Sequence, residues 1–158
     1  MSSAPEGPGA PDRSIAVIRV LFLAALAVSI AHYMDTWLRY DAYALNPNTP
    51  IRPWMMPVGW TIFTVVGFGA LVQVTRRQWW PATVLFAIYS LSGLIMAMHY
   101  VDAPPGDYNG TQNVMILVQL AAGVVMLGTA GWLMFHRALP ALRATDAAPT
   151  TPSSAPGG

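Results

Sequence analysis

Residues 14–38, SIAVIRVLFLAALAVSIAHYMDTWL, decide the fold class. The run holds two charges, Arg19 and Asp35, and otherwise reads as apolar or small residues. Wound as a helix at 1.5 Å per residue it reaches roughly 37 Å, enough to cross the ~30 Å hydrocarbon core of a bilayer. Three further segments share this character: 54–75, 80–101 and 112–135. Pro53, Pro57 and Pro81 fall at helix starts, where a missing N–H costs nothing. Trp54, Trp79, Trp80 and Trp132 lie at span ends, where an amphipathic ring favours the headgroup layer. Pro140 is expected to stop the last helix. The fold class is therefore all-α, an integral membrane four-helix bundle with antiparallel neighbours, spanning 14–138.

Composition excludes the main alternatives. The 158 residues are 54% hydrophobic and 9% charged, with a mean hydropathy of +0.45. A soluble domain carries about a quarter of its residues as charges. A net charge of +1 provides no basic patch for nucleic acid. The absence of cysteine removes disulfides, thiolate metal sites and thiol nucleophiles. No nucleophile elbow, phosphate-binding glycine loop or His-Glu-x-x-His motif is present, so the sequence leans away from an enzyme and names no catalytic residue. The tails, 1–13 and 139–158, are rich in Ala, Pro, Ser, Thr and Gly and read as disordered. Ala25-Leu26-Ala27 matches a signal-peptide cleavage pattern, but retention of the first span is the favoured reading.

All eight basic residues are arginine. Six of them, Arg13, Arg19, Arg76, Arg77, Arg137 and Arg143, fall on the side of the termini, against Arg39 and Arg52 on the other. The positive-inside rule then places both termini in the cytoplasm of a plasma-membrane protein. The outer face gathers Asp35, Asp41, Asp102 and Asp107 with aromatics that include Trp37 and Tyr43. Small residues occur on every span: Ala24, Ala27 and Ala31; Gly67 and Ala70; Ser90, Gly93 and Ala97; Gly123, Gly128 and Gly131. Such residues let membrane helices approach closely. Gln119 and Thr64, at membrane depth, are expected to hydrogen-bond within the bundle.

One pattern repeats. His32-Tyr33-Met34-Asp35 closes the first span and His99-Tyr100-Val101-Asp102 closes the third, suggesting two copies of one helical hairpin. Both helices run outward, so both motifs reach the same depth, and within each the His and Asp share a face. Arg39 continues that face beyond Asp35. Several readings stay open. In the plainest, Asp35 and Asp102 only begin loops. In a second, His32, Asp35, His99 and Asp102 ligate a divalent metal such as zinc, manganese or iron, with Tyr33, Tyr100 and Arg39 supporting them. A carboxylate-bridged pair of metals would need acids on the second and fourth spans, which have none. In a third, His32 and His99 clamp haem b, with Arg39 or Arg52 near its propionates. A proton relay or small transporter is a fourth. His136, beside Arg137, reads as a cap on the last helix's dipole.

The stretches Ala31–Asp35 with Tyr40-Asp41, and Tyr89–Gly93 running to Met98-His99-Tyr100, resemble small four-span bacterial membrane proteins of uncharacterised function. That resemblance implies the fold and assigns no activity. Two function classes follow. The first is a non-enzymatic accessory component whose outer aromatics meet a membrane-protein partner or a second copy. The second is a metal- or haem-binding protein using the paired motifs.

Overall fold

The computed structural model describes residues 13–43 and 52–146; of the expected tails 1–13 and 139–158, residues 1–12 and 147–158 lie outside the described residues. Every regular element in this set is helical: α1 (Arg13–Leu38), α2 (Tyr40–Tyr43), α3 (Met55–Thr75), α4 (Trp79–Leu94), α5 (His99–Asp102), α6 (Gly110–Leu133) and α7 (Leu139–Asp146). A 3₁₀ segment, Ile95–Met98, joins α4 to α5, and a π segment, Met134–Ala138, joins α6 to α7. Four helical stretches are long and apolar enough to cross a membrane: Arg13–Leu38, Met55–Thr75, Trp79–Asp102 and Gly110–Ala144. They pack as an antiparallel four-helix bundle, α6 closest to α4, α3 against α4, and α1 against both α3 and α6. The result is a multi-pass α-helical membrane protein.

The core lies between the spans, and most large aliphatic side chains point outward, as lipid-facing helices require. Phe22 of α1 sits at its centre, edge-on to Phe68 and Tyr89 at 5.2 Å each. Gly67 of α3 makes room for that ring: a Cβ there would lie 2.5 Å from Phe22. Gly93 and Gly123 bring the α4 and α6 backbones together, and a Cβ at either would fall within 3 Å of the opposing backbone. Gln119 is buried at this crossing and donates through Nε2 to the Ser92 carbonyl at 3.4 Å. Thr64 is half-buried.

The expected packing residues divide. Gly67, Ala70, Ser90, Gly93 and Gly123 are buried, but Ala24, Ala27, Ala31, Ala97 and Gly128 are exposed. On α1 the seam is instead Ile18, Phe22, Ala25, Ser29, His32 and Thr36, spaced alternately by four and three residues along one face. The alanines lie off that seam, and smallness alone did not reveal which face was turned inward.

The last helix also differs from expectation. It does not stop at Pro140 but continues to Asp146, so residues 139–146, assigned to the tail, are helical. Proline breaks an α-helix by losing an i→i−4 bond and crowding the carbonyl four residues back. The wider π turn immediately before Pro140 relieves both faults. His136 therefore does not sit at a helix end; it stacks on Trp132 at 5.4 Å, with Nδ1 3.1 Å from the Trp132 carbonyl oxygen. Arg137 lies over the Trp79 and Trp132 rings and donates to Ser14 Oγ at 3.2 Å, tying α1, α4 and α6 at the terminal end.

Candidate functional site

At the opposite end of the bundle the paired motifs meet. His32 is one turn and a half from the end of α1, and only 1% of its surface is exposed. His99 opens α5 directly after the 3₁₀ segment and is half-buried. Their rings lie 6.0 Å apart, edge to face at 72°. Tyr33 stands 6.0 Å from His32, and Tyr43 packs on both imidazoles at 5.9 and 5.5 Å. Tyr108 closes the cluster, 6.1 Å from His99, its hydroxyl donating to the His99 carbonyl at 2.9 Å.

The two aspartates part company. Asp35 accepts from Arg39 one turn on, and from the Tyr43 hydroxyl at 2.5 Å. Asp102 instead lines the cavity beside His99. Among the described residues no three of His, Cys, Asp and Glu stand close enough to hold a metal ion together. The repeated sequence thus brings the two histidines together, while the two aspartates have different surroundings. Tyr100 donates to Asn113 Oδ1 at 2.9 Å and so braces the loop. Asn113 returns hydrogen bonds from Nδ2 to the Pro105 and Tyr108 carbonyls. Asn109 and Gln112 form a capping box that starts α6, and Gln112 Nε2 reaches Ala42 O at 2.8 Å, anchoring α2.

Thr36 Oγ1 is 3.4 Å from His32 Nε2. Tyr43 passes its own proton toward Asp35, which Arg39 holds as a carboxylate. The other ring nitrogen of His32, Nδ1, is buried with no hydrogen-bond partner among the described residues. An unpartnered buried polar atom costs about 1–3 kcal/mol. Burial, together with the bond to Asp35 and the carboxylate's charge, raises the Tyr43 pKa against smaller opposing effects of Arg39 and Thr36. Burial and the neighbouring Asp102 likewise raise that of Tyr108.

His32 and His99 open onto a cavity of about 440 Å³ between the first three spans. Its other walls include Tyr33, Thr36, Phe63 and Gly59, and four methionines: Met55 and Met56 from the start of α3, Met96 and Met98 from the 3₁₀ segment. Two imidazoles sharing one ion through Zn–N-type bonds of about 2.0–2.1 Å have ring centres roughly 5–6.5 Å apart. The observed 6.0 Å fits that spacing. A haem does not fit: its macrocycle would spread from the gap between the rings into Tyr43, which touches both.

Sequence reasoning singled out His32, Tyr33, His99 and Asp102 of this cavity and passed over Thr36 and the methionines, and it gave Tyr43 a different role. Tyr43 had a signal, since residues 35, 39 and 43 follow one another at helical spacing. Its expected role as an outward aromatic is corrected: it is 3% exposed and turned into the cluster, whereas Trp37 is exposed. The methionines came from two segments and bore no shared pattern.

The fold and site define a class, a multi-pass helical membrane bundle with a histidine-lined cavity at one end. Comparison with protein-family models, curated proteins and solved structures gives no match to this chain.

Proposed function

We propose that the protein is a non-enzymatic membrane component that binds a metal ion between His32 and His99. The carrying observation is His32 Nδ1, buried and without a hydrogen-bond partner among the described residues, with a second imidazole at ligand spacing. Burial of an ionisable group at membrane depth is costly and is tolerated where it meets a partner or lines a cavity. The six-to-two division of arginines supports cytoplasmic termini, which puts the cavity at the outer face of a plasma membrane.

The test is elemental analysis and a visible spectrum of protein extracted in mild detergent from cells supplied with zinc, manganese, iron, copper and haem precursor. Stoichiometric metal is expected in the native chain and its loss in His32→Leu/His99→Leu. Metal-free protein, or a haem spectrum in place of a metal ion, would overturn the proposal.

A further inference from the structure

The geometry points to monovalent copper as the ion this cavity takes, held by His32 and His99 with thioether sulfur from Met56 and Met96. This inference rests on the metal-binding reading above and adds the identity of the ion. Four of the chain's nine methionines and two of its three histidines line this one cavity, far above their share of the sequence. Met96 is buried and Met56 half-buried, while Met55 and Met98 stand at the rim. Met55 sulfur already receives the Arg52 N–H at 3.3 Å, which leaves Met56 and Met96 as the sheltered donors.

Donor chemistry separates the candidate ions. Thioethers are soft and uncharged and select Cu(I), whereas carboxylates suit harder divalent ions. The harder set is not assembled here, because Asp35 is committed to Arg39 and Tyr43. Charge balance agrees. Bringing a dication into a poorly solvated site among neutral ligands leaves most of its charge uncompensated. A monocation among neutral imidazole and thioether donors is balanced by a single carboxylate, and Asp102 lines the same cavity. The thioether donors are adaptable, since methionine has three rotatable bonds and an easily polarised sulfur.

The experiment is an anaerobic competition in detergent between the full-length protein and a chromophoric Cu(I) chelator, with zinc titrated separately. The comparison is among the native chain, Met56→Leu/Met96→Leu and His32→Leu. Leucine keeps the apolar volume and removes only sulfur, and circular dichroism checks that the bundle persists. The native chain is expected to withdraw Cu(I) from the chelator, and the methionine variant to bind about 10–100-fold more weakly. X-ray absorption of the native copper complex is expected to show sulfur neighbours, a readout that needs no variant to fold. Zinc binding that depends on His32 and ignores the methionines would overturn the copper assignment and leave metal binding standing. Absence of binding by any of these ions would overturn both. Cu(I) bound equally by all three proteins, or an absorption spectrum without sulfur, would mean adventitious copper and would also overturn the inference.

Discussion

Gly93→Ala tests the contact on which the bundle's geometry depends. A methyl at this position would lie 2.5 Å from the Gln119 carbonyl oxygen and 2.6 Å from Gly123 Cα, where ordinary contact begins near 3.4 Å. The obstacle is backbone on both counts, so no side chain can swing aside, and α4 and α6 must part by about 1 Å. Overpacking of this kind costs typically about 1–3 kcal/mol, offset by the roughly 0.5–1 kcal/mol that alanine gains over glycine in a helix. The net expectation is a loss of up to about 2.5 kcal/mol. Gly128→Ala is the matched control on α6, since nothing lies within 4 Å of its added methyl, and it should gain about 0.5–1 kcal/mol. The helix gain is common to both, so the two variants should differ by the overpacking cost, about 1–3 kcal/mol. Unfolding in mixed detergent–SDS micelles, followed by tryptophan fluorescence, measures both. Equal midpoints, or a Gly93→Ala protein more stable than the native one, would refute the close crossing. Because His99 follows Gly93 by six residues on the same span, the displaced α4 should also weaken metal binding, whereas Gly128→Ala should not.

Tyr43→Phe removes the hydroxyl that donates to Asp35 and should cost about 1.5–3 kcal/mol, the range for a hydrogen bond to a charged group, in the same unfolding assay. The Tyr43 pKa is raised in the folded state, so its stabilising contribution is present below the ordinary phenol pKa of about 10 and is lost as pH rises toward the folded value. The phenolate absorbance missing from Tyr43→Phe should accordingly titrate above the ordinary range, and ordinary titration would refute the buried bond to Asp35. Since the chain has no cysteine, single cysteines at Gly106 and Arg77 can report sidedness with a membrane-impermeant maleimide. Whole cells should label Gly106→Cys, and Arg77→Cys should label only after lysis; the reverse would invert the proposed orientation.

The spans were legible because twenty apolar residues in a row have few alternatives to a membrane helix, and Pro53, Pro81 and the tryptophans marked their ends. The depth of His32 and His99 was legible too, since both helices run the same way. The divergence of the aspartates was not. It depends on how the short helix Tyr40–Tyr43 follows α1 so that Tyr43 meets Asp35, which leaves only a faint trace in local spacing. Pro140 misled for a different reason: a π turn, Met134–Ala138, precedes it and can absorb what a regular helix cannot. The methionines escaped notice because thioethers make no spacing motif, and only the fold brings Met56 toward Met96.

The 3₁₀ segment Ile95–Met98 gives the third span a property that an unbroken helix would lack. An α-helix turns 100° per residue and a 3₁₀ helix 120°, so four residues in the tighter winding advance the phase by about 80° and lengthen the rod by about 2 Å. His99 is the first residue to inherit that rotation. Rewinding the segment to α would turn the imidazole toward a different neighbour without breaking the helix or moving its axis. The winding of Ile95–Met98 therefore sets the bearing of His99 toward the His32 ring.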